Sequence, residues 1–453
     1  MTQSGTGVNV SLSAAAQNDL ALASAQAVVD TYAKLDRYFR KDRWLGAQNS
    51  YRRDTVMAIK NDVTNGGVNQ KHLAEYIAAS APLHASDGWS FLGRAMQSHL
   101  AGDTGAARHL AYYAELRAAM SILAAHGVGV FDKQHFVVTS PTSVTKVSGA
   151  GATHTFTWQA LQWWSTKPGS WSLVGDVIRP YGRNLSEWLG AAPKYSGWGP
   201  IATSWIESLG LDIQRVANDQ FSRNEASYRP NRVVEPDLVD TSASARFAIN
   251  LWRALEPGPN GFPNLDLHLL RVTFERAFEA VEGAGPTARP GPFAAAANAI
   301  AKVAGVGQTS SRTANFLMRS QQPLDLDILR NAAQDSASSD RSHHMHVMSR
   351  AALLLVLATT ASRRLIEDAG SGLDDTSFWW EALGVERGIW RTAPATNDLR
   401  DFWEDISDEL DVVEDWLDRD VGNYTSLDLA AACPRIFSRL AQFELPGLWG
   451  MSA

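Results

Sequence analysis

The sequence predicts a mainly α, multi-helical protein with one small β element near residues 128–157. Apolar residues recur at mixed three- and four-residue spacing through most of the chain. Serine, aspartate and glycine stand where those stretches begin and end. Only residues 128–157 depart from the pattern, with valines and aromatics on either side of Ser148-Gly149-Ala150-Gly151.

In chain order, Ser11 or Ser13 caps a helix reaching about residue 40, with Leu22, Ala25, Val29, Tyr32 and Leu35 along it. Ser86-Asp87 opens another, through Phe91, Leu92, Met96 and Leu100. Gly102-Asp103 then turns the chain into a helix over about 104–126 that Gly127 stops, completing an N-terminal helical region, 1–127. The pair looks like a helical hairpin, but no second copy recurs at a fixed period, so a solenoid is not predicted. The β element takes Val130, Phe131, Phe136, Val137, Val138, Val144 and Val147 into two or three short strands, with His135 and His154 on neighbouring strands as pocket candidates. Helices resume at about residue 157. A Trp-rich middle region, 158–282, opens with seven tryptophans between Trp158 and Trp205, a density suited to a filled core or a partner surface. Proline and glycine mark 256–264 and 283–292 as linkers, the second leading into a C-terminal helical domain, 293–453.

Composition bounds the function. The chain has 453 residues, 45% apolar and 20% charged, enough for a packed core and against disorder. The net charge of −7 argues against a wholly basic polyanion sleeve. One cysteine, Cys433, excludes an internal disulfide framework and a cysteine zinc cage, and its setting reads as an inert thiol. The longest strongly apolar stretch, 351–357, is too short to span a bilayer, and residues 1–10 lack a secretory pattern, so a cytoplasmic protein with no membrane contact is expected. Arginine outnumbers lysine 32 to 9, the usage of a GC-rich bacterial genome. The acid excess is local. Between Asp398 and Asp420 eleven carboxylates meet two arginines, a net of −9, which leaves about +2 for the remaining chain. Leu399, Phe402, Trp403, Ile406, Leu410, Val413, Trp416 and Leu417 form an apolar stripe there, so the helix 399–417 has an acidic outer face. That face is either simply solvated or a docking surface for other protein subunits.

No GxxxxGK[ST], GxSxG or HExxH pattern is present, and Gly149-Ala150-Gly151 lacks the third glycine of a dinucleotide fingerprint. The most unusual local feature is Asp340-Arg341-Ser342-His343-His344-Met345-His346, a polar lead-in to an apolar helix over 347–366. It puts imidazoles at a helix N-terminus, where free N–H groups attract anions. Three readings are open. Arg341 and His346 form an Arg-x4-His pair; His343 and His346 bind a metal with a carboxylate from elsewhere; or the histidines only decorate a helix start. Composition alone supplies about two Arg-to-His spacings of four to six residues. The chain has two, Arg341 to His346 and Arg94 to His99, and context favours the first.

The Arg-x4-His pair resembles the signature of HEPN-type ribonucleases. Residues 106–128, AARHLAYYAELRAAMSILAAHGV, resemble a helix of YaaC-like bacterial proteins of the HEPN superfamily through Tyr112, Tyr113, Ala125, His126 and Gly127. The resemblance implies an α-helical domain, able to dimerise, that handles RNA in antiviral-defence or toxin systems. In such a protein Arg341 would neutralise the scissile phosphate and His346 would act as acid or base on the 2′-hydroxyl, without metal or other cofactor. A basic segment could bring in the RNA: Lys34, Arg37, Arg40, Lys41, Arg43, Arg52 and Arg53 lie among Tyr38, Phe39, Trp44 and Tyr51, cations for phosphate and rings for unpaired bases. A loop with Arg223, Tyr228, Arg229 and Arg232 is a further phosphate candidate. The competing expectation is a non-catalytic helical scaffold or sensor subunit of a larger bacterial assembly.

Overall fold

The computed structural model describes residues 12–196, 240–334, 343–419 and 424–452. Its architecture is helical with one small sheet, as the periodicity predicts. The centre is a trio of long helices, Gln70–Leu100, Thr104–Ala125 and His344–Asp368, which pack on one another along their lengths. The first two form the expected hairpin. Asp103 caps the second by accepting from the Ala106 amide at 2.9 Å, and Gly127 leaves it with φ +88°. A side chain at Gly127 would also crowd the Ser24 amide and the Val138 carbonyl.

Two helix starts differ from the sequence reading. The first hairpin helix begins at Gln70, not at Ser86, because Asn69 accepts from the His72 amide and Leu73, Ile77 and Ala81 carry the buried stripe upstream. The N-terminal helix divides into Ala14–Leu20, capped by Ser13, and Ala25–Tyr32, capped by Ser24. The Ser24 amide donates to the Val138 carbonyl at 3.0 Å, so the sheet draws the chain out of helix there.

The sheet has three antiparallel strands in the order β1 (Val128–Gly129), β2 (Phe136–Ser140) and β3 (Ser143–Lys146), with Val137 opposite Thr145 and an irregularity between Val138 and Ser140. It ends earlier than the sequence suggests. Helix returns at Thr153, and the Thr157 hydroxyl donates to the Thr153 carbonyl within it. His154 therefore sits in the first turn of a helix and not on a strand. His135 lies just before β2, fully enclosed, with Nδ1 accepting from the Phe131 amide, Nε2 donating to the Gly151 carbonyl and its ring stacked 3.9 Å from Phe156. The two histidines do not face each other across a pocket.

One contiguous apolar cluster runs from Leu12 to Met451. Both Pro/Gly stretches are turns within it. Pro263 starts the helix Pro263–Glu282, left-handed Gly283 ends it, and Phe293 of the next helix stacks back on Phe274 at 4.8 Å. Indole N–H groups tie the C-terminal residues into the core: Trp252 donates to the Leu440 carbonyl and Trp449 to the Leu399 carbonyl, while Trp89 donates to the Thr359 hydroxyl. His344–Asp368 is long and apolar enough to cross a membrane, beyond the seven-residue stretch noted from sequence, but 89% of its apolar window is buried within the protein. The acidic helix spans Phe402–Arg419, preceded by a 3-10 turn Leu399–Asp401, and buries Ile406, Leu410, Val413 and Leu417.

The tightest joint between the hairpin and the C-terminal segment is at Gly93, where an added Cβ would lie 2.2 Å from the Ala441 carbonyl oxygen. Gly93→Ala is predicted to lower stability by about 1–3 kcal/mol through overpacking, although alanine favours helix. Urea denaturation checks this; an unchanged or raised midpoint would refute the joint.

Candidate functional site

The polar first turn of the 344–368 helix folds into the protein interior. His343, still extended, precedes the helix and its carbonyl accepts from the amides of His346 and Val347. His344 is buried against His99, with His99 Nδ1 2.9 Å from His344 Nε2. The other nitrogen of His99, Nε2, lies 3.1 Å from the Ser244 carbonyl oxygen. A carbonyl only accepts, so His99 Nε2 carries the proton, His99 Nδ1 accepts, and His344 Nε2 donates. One backbone oxygen thus sets the tautomers of two imidazoles. Burial pushes His99 down to about 4 and His344 down to about 2, and the Arg108 guanidinium adds to the second shift. His343 and His346 form the more open side of the cluster, their rings 5.2 Å apart. Burial, then His343 and Arg350, bring His346 down to about 4.

Arg108, Tyr112 and Glu115 repeat at four and three residues and so share a face of the 104–125 helix. Arg350 stands one turn after His346 on its own helix. Its Nε lies 3.6 Å from Glu115 Oε1, with the two side chains 1% and 0% exposed. Such a pair recovers its desolvation cost only through close partners. One turn away, the Trp158 indole donates to the Tyr112 hydroxyl at 3.4 Å, and that hydroxyl lies 2.9 Å from His154 Nδ1. Four helices therefore bring histidines, arginines, a carboxylate and a phenol to one interior region. This combination can move protons and hold an anion.

The sequence candidates fare differently. His346 belongs to this cluster. Arg341 lies outside the described residues, as do Arg223, Tyr228, Arg229 and Arg232. The arginines that the described structure brings to the histidines are Arg350 and Arg108, which a search for arginine upstream of histidine passes over. The legible signal was Arg350 four residues after His346, and a lone Glu115 amid an apolar helix. For the metal reading of His343 and His346, no group of three or more His, Cys, Asp or Glu side chains is placed to hold an ion among the described residues. The Cys433 thiol is buried and raised by that burial and by Glu409. Of the resemblance positions, Tyr113 stacks on Phe91 at 5.5 Å, and His126 packs on Trp164 at 4.9 Å with Nδ1 2.8 Å from the Ile122 carbonyl oxygen.

All seven cations of the basic segment are exposed. Arg37 pairs with Glu75 at 3.0 Å and Arg40 with Asp36 at 2.7 Å, while Lys34, Lys41, Arg43, Arg52 and Arg53 have no ion pair among the described residues. The aromatic half of that expectation is corrected. Phe39 and Tyr51 are core residues, and the Tyr51 hydroxyl donates to Asp62 and accepts from the Asn69 amide, so neither ring is open to a base. Internal arginines also meet the acidic helix: Arg253 reaches Glu414 and Asp411, Arg439 reaches Asp405, and Arg435 reaches Glu409.

No family model matches the chain, and no curated protein or solved structure matches it.

The buried histidines predict acid sensitivity. His99, His344 and His135 titrate near 6.5 when unfolded, but their folded values are lowered, to about 4, 2 and 4. Their stabilising effect is complete above pH 6.5 and is lost as pH falls toward 4, because the unfolded chain takes up protons first. Denaturant midpoints should fall steadily through that window; a flat profile would mean that these imidazoles are protonated in the folded protein.

Proposed function

We propose that the chain is a helical RNA-handling protein, HEPN-like in its chemistry, and that the His343–His346 edge of the interior cluster is its reactive centre. The observation that carries this reading is the meeting of two partly open imidazoles with buried guanidiniums. Phosphodiester cleavage by a 2′-hydroxyl needs these groups. The neutral His346 takes the 2′-hydroxyl proton as the 2′-oxygen bonds to phosphorus. The bond from phosphorus to the 5′-oxygen breaks, and His343 in its protonated form donates to the departing oxygen. Arg341 retains its sequence-assigned role of holding the phosphate, and Arg350 and Arg108 add positive potential to the cluster. The YaaC-like resemblance of residues 106–128 adds the setting, a bacterial antiviral-defence or toxin system acting in the cytoplasm, with a homodimer as the working form.

A second reading, a non-catalytic scaffold or sensor subunit, draws on the acidic helix. Its exposed Glu404 and Asp408 leave a charged surface for a basic protein even after the chain's own arginine contacts.

Induction of the wild type in a bacterial host is expected to fragment cellular RNA, and His346→Ala, folded by circular dichroism, is expected to leave it intact. Purified protein should cleave equally well with chelator present. Intact RNA with both proteins, in the cell and in vitro, contradicts the nuclease reading and favours the scaffold.

A further inference from the structure

The fold joins the basic segment to aromatic side chains from more than three hundred residues away. Helix Ser377–Glu386 packs its first turn on the turns after residue 36. Trp44 meets Trp379 edge-on at 5.3 Å and Phe378 at 5.9 Å, and Phe39 beneath them contacts Trp44 at 5.3 Å. Trp44, Phe378 and Trp379 are each only partly buried, so a core aromatic supports three rings that keep an open edge.

Exposed Lys41 and Arg43 lie on the turn that carries Trp44, and exposed Arg52 and Arg53 lie on the turn that follows. Glu75 accepts from Arg37 through Oε1 and from Asn49 through Oε2, at 3.0 and 3.2 Å. That shared carboxylate draws the turn bearing Lys41 and Arg43 toward the turn bearing Arg52 and Arg53. Arg37 and Arg40 are engaged by Glu75 and Asp36, which leaves Lys34, Lys41, Arg43, Arg52 and Arg53 for an external anion. Exposed Asp374 and Asp375 precede Ser377 on the other element, and exposed Asp42 and Asp54 lie among the cations, which still outnumber the acids of their own segment.

We propose that this composite surface binds single-stranded RNA, with the phosphates along Lys34, Lys41, Arg43, Arg52 and Arg53 and unpaired bases against Trp44, Phe378 and Trp379. Ring faces accept any base but only when it is unstacked from a partner, which selects a single strand over a duplex. This deepens the RNA reading above by naming where the strand lies, and the two fail separately.

The probe is a short, fluorescently labelled single-stranded oligonucleotide carrying 2′-O-methyl groups, which cannot undergo attack by the 2′-oxygen. Anisotropy titrations of the full chain at several salt concentrations are expected to show binding that weakens linearly on a log–log plot. Trp379→Ala should weaken it by about tenfold or more, Trp379→Phe should largely restore it, and Arg43→Glu with Arg52→Glu should reduce both affinity and salt slope. Equal affinity for the matching duplex, no binding by the wild type, or unchanged affinity in Trp379→Ala would each overturn the proposal. Binding with these dependences, in a protein that leaves RNA uncut, would uphold it while the nuclease reading falls.

Discussion

The 344–368 helix begins inside the protein, and much of the surrounding structure answers to that placement. Of its 25 residues 20 are buried, including His344 in the first turn, Arg350 in the second and Arg363 near the end. A helix start enclosed by other helices has no water for its polar groups, so the neighbours must supply partners. His99, at the last turn of one hairpin helix, meets His344, and Glu115 on the other meets Arg350. The hairpin register brings both contacts to one end of the 344–368 helix. The close approach at Gly93 and the indole bonds of Trp89, Trp252 and Trp449 hold the C-terminal segment against the same core.

The electrostatics follow from this burial. Imidazole can shed its charge at modest cost, whereas guanidinium cannot, so enclosure leaves His99 and His344 neutral beside charged arginines. Glu115 compensates part of that charge from within the core. Taking each charge of a buried ion pair out of water costs several kcal/mol, which the pair's mutual attraction often only offsets, so this pair adds little to stability by itself. A neutral imidazole beside a fixed positive charge is a base placed where an anion is attracted. The open side of the cluster, His343 and His346, is where this would serve a substrate, while His99 and His344 are locked by the Ser244 carbonyl.

What could be read from the sequence divides along physical lines. The hairpin was legible because Gly102-Asp103 and Gly127 punctuate it locally, and the stripe of the acidic helix because its period is long and uninterrupted. The break at Ser24 was not, since it is stabilised by a hydrogen bond to Val138, a contact that no local pattern encodes. Ser86 and Asp87 looked like a helix start because capping residues also occur inside helices when packing decides. Arg350, Arg108 and Glu115 were hidden for a related reason: charged residues in a helix ordinarily read as surface, and only tertiary packing buries them. Conversely, Phe39 and Tyr51 were read as ligand-facing because they sit among cations, yet their rings fill the core, and the part-exposed rings there are Trp44 with Phe378 and Trp379. The cations themselves were legible, being exposed as expected.

The central claim is that burial holds His99 and His344 neutral, in tautomers set by one backbone carbonyl. Long-range nitrogen–proton correlation spectra of histidine-labelled protein read that state directly. The account predicts that His99 carries its proton on Nε2 and that neither ring gains a second proton as pH falls from 7 to about 5. A His99 signal from the Nδ1–H form, or a charged imidazolium for either residue at pH 6, would contradict it.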